Sequence, residues 1–238
     1  MSQDRGRSTY RHGDLRQALL TAGYELARGG GPTAVTLREA TRRAGVTPSA
    51  AYRHFADRQA LLASVCDAAQ AALANTIEDE QAAVEPSQDP RAVAVALFRA
   101  VGTGYVRFAR QEPGLFRTAF SVPDNLGGRG DPVRVGRNGK TPFQLLTAAL
   151  DLLAELGLLA PADRPGAEFL AWSAVHGLST LAIDGPLRQL DDLQVQAISA
   201  RLVVMVELGL SRSDASRQTG TAATPEHEDR WWPAGPSA

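Results

Sequence analysis

Apolar residues recur along this chain at helical spacing, and polar capping residues mark where each run begins. Leu15, Ala18, Leu19, Ala22 and Leu26 lie three or four positions apart, as on one face of a helix. Asp14 precedes them and Gln17 follows three residues later, the spacing of a capping box. Gly29-Gly30-Gly31-Pro32 stops this first helix. Thr36 caps a second, short helix over 37–44, with Glu39 again at the third position, and Gly45 ends it. Thr47 caps a third, with Pro48 at the first helical position, where its missing N–H costs nothing. That helix is expected to run to about Phe55. Asp57 caps a fourth over 58–83.

Glu85-Pro86-Ser87-Gln88-Asp89-Pro90 is a break. A helix over 90–111 follows, stopped by Pro113-Gly114, then one or two helical turns over 115–120. Residues 121–142 are rich in Gly, Pro and charge and read as a long loop. Thr141-Pro142-Phe143-Gln144 repeats the capping-box pattern and opens a helix to about Leu156. Helices over 163–184 and 191–208 come last, closed by Gly185-Pro186 and by Gly209. Residues 211–238 are polar and are expected to be disordered despite Trp231 and Trp232. No strand pattern competes, and no internal repeat is visible. The expected fold is all-α with about nine helices.

Composition narrows the function classes. The 238 residues are 44% hydrophobic and 21% charged, ordinary for a globular protein. The single Cys66 excludes a disulfide framework and a Cys-based zinc site. Four scattered His residues make no metal cluster, and no cofactor is implied. No unbroken apolar run approaches the ~20 residues of a membrane helix, and the polar N-terminus does not read as a signal peptide. A soluble cytoplasmic protein with no membrane partner is the expectation. Charge is uneven: residues 1–63 hold ten Arg against five acidic residues, net +5, and the remainder carries −6. A basic head on an acidic body suits a polyanionic partner for the head.

The stretch 36–62, TLREATRRAGVTPSAAYRHFADRQALL, joins two short capped helices through Gly45-Val46. A tight turn containing Gly is the helix-turn-helix arrangement. Ala40 and Val46 suit the narrow space between the two helices. The small residues Thr47, Pro48, Ser49 and Ala50 let the second helix approach base edges in a major groove. The run G-V-T-P-S-A-A-Y-R-H-F-A-D-R-Q-A-L resembles the recognition-helix signature of the tetracycline-repressor (TetR) family of bacterial transcriptional regulators. The matching residues are Thr36, Leu37, Ala40, Ala44, Gly45, Val46, Thr47, Tyr52, His54, Phe55, Arg58, Leu61 and Leu62. The segment FLAWSAVHGLSTLAIDGPL resembles a subgroup with a Trp-x-x-x-His-Gly element in its C-terminal domain.

The resemblance implies a three-helix DNA-binding domain over 1–62, a helical ligand-binding and dimerisation domain over 63–210, and a tail over 211–238. Tyr52, Arg53 and His54 suit phosphate contacts, and Phe55 suits the core of the head. Thr36 and Arg58 stand at helix N-termini, where a phosphate would be favoured; Arg58 by itself opposes the helix dipole. Arg5, Arg7 and Arg11 form a basic arm able to follow the DNA backbone. Positions 48–50, base readers in the family, are Pro, Ser and Ala, which offer no bidentate donor. Reading would then draw on Ala50, on Arg38 or Arg42, and on DNA shape.

In the body, the last two helices are apolar nearly all round, more than one core face requires. The resemblance pairs them with a second copy in a homodimer. Phe98, Tyr105, Phe116, Phe120, Phe143, Trp172 and His176 are the candidate lining of a small-molecule effector site; Trp172 and His176, four apart, share a helix face. Enzyme readings fail. Ser173, His176 and Asp184 on one helix make no triad, Gly102 and Gly104 lack the strand that precedes a phosphate loop, and Cys66 reads as a buried thiol. The expected function is an effector-responsive DNA-binding regulator, a repressor acting on a palindromic operator as a homodimer. The alternative is a ligand-sequestering helical dimer without specific DNA binding.

Overall fold

The computed structural model describes residues 12–122 and 134–211. The basic arm with Arg5, Arg7 and Arg11, and the tail with Trp231 and Trp232, lie outside the described residues. Nine α-helices and no strand are found among the described residues: α1 (His12–Gly30), α2 (Leu37–Ala44), α3 (Pro48–Ala51), α4 (Arg58–Ala82), α5 (Pro90–Gln111), α6 (Pro113–Ala119), α7 (Pro142–Glu155), α8 (Ala167–Ile183) and α9 (Asp192–Ser211). The all-α expectation holds.

The caps read from the sequence are largely in place. The Thr36 hydroxyl accepts the Glu39 N–H at 3.2 Å, and Asp57 Oδ1 accepts the Ala60 N–H at 2.8 Å. Thr141 and Gln144 close a full capping box, whereas the Thr47 side chain makes no capping bond; Asp191 and Gln194, not singled out in the sequence, exchange a capping-box pair of bonds. Other boundaries move. The first helix starts at His12, so Asp14 lies inside it rather than capping it. Pro113 does not merely stop α5; it occupies the first position of α6. Gly166 adopts a left-handed backbone, φ 79°, so α8 begins at Ala167 and not at 163. Gly209 stays helical, and α9 continues to Ser211. A glycine permits a helix stop but does not impose one.

The chain forms two compact units, and the boundary falls inside α4, between Ala69 and Gln70. The first unit contains 12–69 together with 112–122, so it is larger than the 1–62 division expected from the sequence. The addition of α6 has a physical cause: Gly114 lies directly against the carbonyl groups of Ala27 and Arg28 at the end of α1, and Arg28 pairs with Glu112. Its core is built from Leu19, Leu26, Val35, Ala40, Ala51, Phe55, Leu61 and Val65, all nearly or fully buried. Cys66 is buried there too, its thiol donating to the Thr118 carbonyl at 2.8 Å.

In the second unit, α5 packs against α7, α8 and α9. Arg110 at the end of α5 donates to the Ala182 and Leu190 carbonyls and to Asp192, which fixes the corner between α8 and α9. Part of the expected loop is an ordered turn. Arg137 donates its backbone N–H to Asn75 Oδ1 at 2.9 Å and its guanidinium to the Asn75 carbonyl and Asp79, while Asn138 N–H reaches Glu78. By length and composition, α4, α5 and α9 are apolar enough to cross a membrane. The sequence expectation concerned unbroken apolar runs, and this is a different property. Alanine-rich helices with few charges reach the mean hydropathy of a span without any unbroken apolar run.

Candidate nucleic-acid interface and aromatic cluster

The helix-turn-helix corner is set by backbone chemistry. Gly45 has φ 68°, a left-handed conformation that is costly for other residues. Its N–H and that of Val46 bond back to the Arg42 and Thr41 carbonyls. The chain then turns sharply into α3, a single turn with Pro48 at its start. This is shorter than the expected helix to Phe55, but the Tyr52, His54 and Phe55 N–H groups still bond back to Pro48 and Ala51 carbonyls. The helical path therefore continues as tight turns.

One side of this corner is core and the other is bare. Ala51 and Phe55 are buried, with the Arg16 guanidinium 5.2 Å from the centre of the Phe55 ring. Thr47, Pro48, Ser49 and Arg53 are exposed, Ala50 and His54 are half-buried, and Tyr52 is 58% exposed. Arg38 is also exposed, whereas Arg42 is held by Glu39, with Nε 2.9 Å from Oε2. The hydrogen bonds from Arg42, with Arg43 nearby, hold the Glu39 carboxyl down to about 2. Between the two arginines proposed as base readers, Arg38 is the one left unpaired among the described residues.

Arg58, expected at a phosphate, makes two hydrogen bonds within the first unit. Its Nε donates to the Val35 carbonyl at 2.8 Å and its Nη2 to the Pro32 carbonyl at 2.7 Å. The cation at the helix N-terminus, unfavourable by itself, is compensated by two carbonyl dipoles rather than requiring a phosphate. Thr36 keeps its capping position immediately after Val35. Arg11 lies outside the described residues.

The candidate effector residues divide. Phe116 and Phe120 fall in the first unit and pair edge-to-face with each other at 5.3 Å. The other five fall in the second unit. Phe98 is buried in α5. Tyr105, Phe143, Trp172 and His176 come together: Phe143 and Trp172 ring centres are 6.4 Å apart, Trp172 and His176 5.7 Å, and Tyr105 and His176 6.2 Å. Trp172 Nε1 donates to the Tyr105 hydroxyl at 3.0 Å, and that hydroxyl lies 2.7 Å from His176 Nδ1. Burial pushes the Tyr105 phenol up and the His176 imidazole down, so both are neutral near pH 7. Phe169, 5.8 Å from Phe143, belongs to the same cluster and was missed; its place one turn before Trp172 was the available signal.

The outer faces of α8 and α9 are unusually apolar. Leu170 and Leu181 on α8, and Leu193, Ile198, Met205 and Leu208 on α9, are all exposed. Only 22% of the most apolar stretch of α9 is buried.

Comparison with known proteins agrees with this geometry. A family profile described as "Bacterial regulatory proteins, tetR family" matches residues 19–65, and one described as "Tetracyclin repressor-like, C-terminal domain" matches residues 98–206. A solved structure of a protein of unknown function from Rhodococcus sp. RHA1 is 26% identical, with a TM-score of 0.65, covering 86% of this chain and 100% of that one. A TetR-family transcriptional regulator from Pectobacterium atrosepticum is 22% identical with a TM-score of 0.56, covering 86% of this chain and 98% of its own. Another, from Marinobacter aquaeolei VT8, is 17% identical with a TM-score of 0.54, covering 81% and 94%. Curated proteins give no match. The helix-turn-helix head, the helical body and both family profiles together place this chain in the tetracycline-repressor family of bacterial regulatory proteins, which are transcription factors and not enzymes.

Proposed function

We propose that the protein is a homodimeric repressor that binds a pseudo-palindromic operator and is released by a small-molecule effector. The observation that carries this reading is the bare side of the corner after Gly45, where Thr47, Pro48, Ser49 and Tyr52 stand exposed on a basic head. Tyr52, Arg53 and His54 take phosphates, with Arg11 and the cap at Thr36. Ser49, Ala50 and Arg38 face the base edges. With no bidentate donor at positions 48–50, much of the sequence preference comes from DNA shape.

A two-fold dimer closes through the exposed apolar faces of α8 and α9, and its two heads meet half-sites about one helical turn apart, ~35 Å, or a multiple of that. The effector sits against Tyr105, Phe143, Trp172 and His176, which suit an aromatic or apolar molecule with at least one polar group. The 25-residue α4, about 37 Å long at ~1.5 Å per residue, carries the signal. An effector that favours the non-binding state shifts the population by no more than its differential affinity for the two states. The protein works in the cytoplasm, where its operator is.

Selection of bound DNA from a random pool, repeated with aromatic ligands present, tests the reading. A recovered palindrome with steep salt dependence supports it. Equal affinity for selected and scrambled DNA would leave the ligand-sequestering dimer instead.

A further inference from the structure

Arg58 is the first residue of α4 and is half-buried. Its two donated bonds end on the carbonyls that bracket a three-residue 3₁₀ turn, Pro32–Ala34. That turn begins after Gly31, whose φ is 69°, and leads through the fully buried Val35 into Thr36, the cap of α2. The turn therefore sets the direction in which α2 leaves α1. The α2 direction in turn sets the Gly45 corner and the presentation of Thr47, Ser49 and Tyr52.

The guanidinium suits this position. Its Nε–H and Nη2–H point the same way in a rigid fork, so one side chain grips both carbonyls at once. Bonds from a charged donor are about twice as strong as neutral ones. A lysine ammonium keeps the charge but lacks the fork. The start of α4 is itself firmly seated: Asp57 caps it at Ala60, and Leu61 and Val65 pack against Gly23 of α1. The latch thus joins a fixed point to the segment that aims the head.

We infer that Arg58 is a positioning residue for DNA binding, latching the α1–α2 turn to the start of α4, and not a phosphate contact. The inference rests on the DNA-binding reading for its consequence, but the latch can be observed without DNA.

The test uses the full-length chain, with Arg58→Lys and Arg58→Ala. In the DNA-free protein, both variants should show several-fold faster amide hydrogen exchange across 36–46, with thermal unfolding and dimerisation retained. Both should lose about tenfold or more in affinity for a selected operator. The slope of log affinity against log salt should not change, because no phosphate contact is lost. A phosphate contact predicts the reverse. Arg58→Lys would then keep most of the affinity, Arg58→Ala would lower the slope by about 1.8 because each dimer loses two phosphate contacts, and exchange across 36–46 would be unaltered. Either unaltered exchange or that loss of slope overturns the latch. So does failure of Arg58→Lys to fold, which would make Arg58 a part of the core and not a positioner. If the unaltered protein binds no DNA, the exchange measurement still decides the latch, and only the DNA-binding reading fails.

Discussion

The Tyr105 hydroxyl on α5 and Nδ1 of His176 on α8 meet at 2.7 Å, while the same hydroxyl accepts a hydrogen bond from Trp172. When the phenol donates to Nδ1, the imidazole is neutral and its proton is on Nε2. Protonation of His176 removes that acceptor in a half-buried site.

A pH dependence follows. Burial lowers the His176 pKa below its ordinary 6.5, so the unfolded chain takes up its proton first as pH falls. The stabilisation is complete above about pH 6.5 and is lost as pH falls through the lower folded-state value. The melting temperature should therefore drop between about pH 7 and pH 5, and His176→Gln should flatten that drop. An unchanged slope in the variant would show that other groups are responsible.

Tyr52→Ala should weaken operator binding by about tenfold without lowering the melting temperature, since the side chain is mostly in solvent. Titration of a labelled operator, alongside calorimetry of the free protein, reads both quantities.

Dimer disruption is best aimed at side chains the single chain leaves bare. Met205→Arg with Leu181→Arg should give a folded monomer at micromolar concentration, seen by analytical ultracentrifugation, and that monomer should bind the operator poorly. The two residues are 64% and 44% exposed, so the fold of one chain should survive. A monomeric unaltered protein would refute this arrangement.

Trp172→Ala should abolish release by an identified effector while operator binding without effector survives. Phe116→Ala serves as the contrast, because its ring pairs with Phe120 in the other unit. A normal response in Trp172→Ala would move the effector site elsewhere.

Gly114→Ala should destabilise the first unit by about 3 kcal/mol. A methyl there would sit 2.3 Å from the Ala27 carbonyl oxygen and 2.4 Å from that of Arg28, and backbone cannot turn aside as a flexible side chain does. Thermal unfolding measures the loss.

The nine helices, most of their caps and the helix-turn-helix corner were legible in the chain because they depend on neighbours. A cap bonds three residues ahead, an apolar face repeats every three or four, and the turn needs one left-handed residue at Gly45. Boundaries failed where a glycine or proline allowed two outcomes, as at Pro113 and Gly209. Tertiary structure decided what reaches across the chain. Arg58 finds carbonyls 23 and 26 positions back, and Tyr105 finds His176 across 71. Phe116 and Phe120, alike in type to Phe143, went to another unit because Gly114 lets α6 press against α1. Local bonding rules identify the groups that need partners. Which partner satisfies each is settled only when the helices pack, because burial brings distant polar groups together and leaves few other places for their hydrogen bonds.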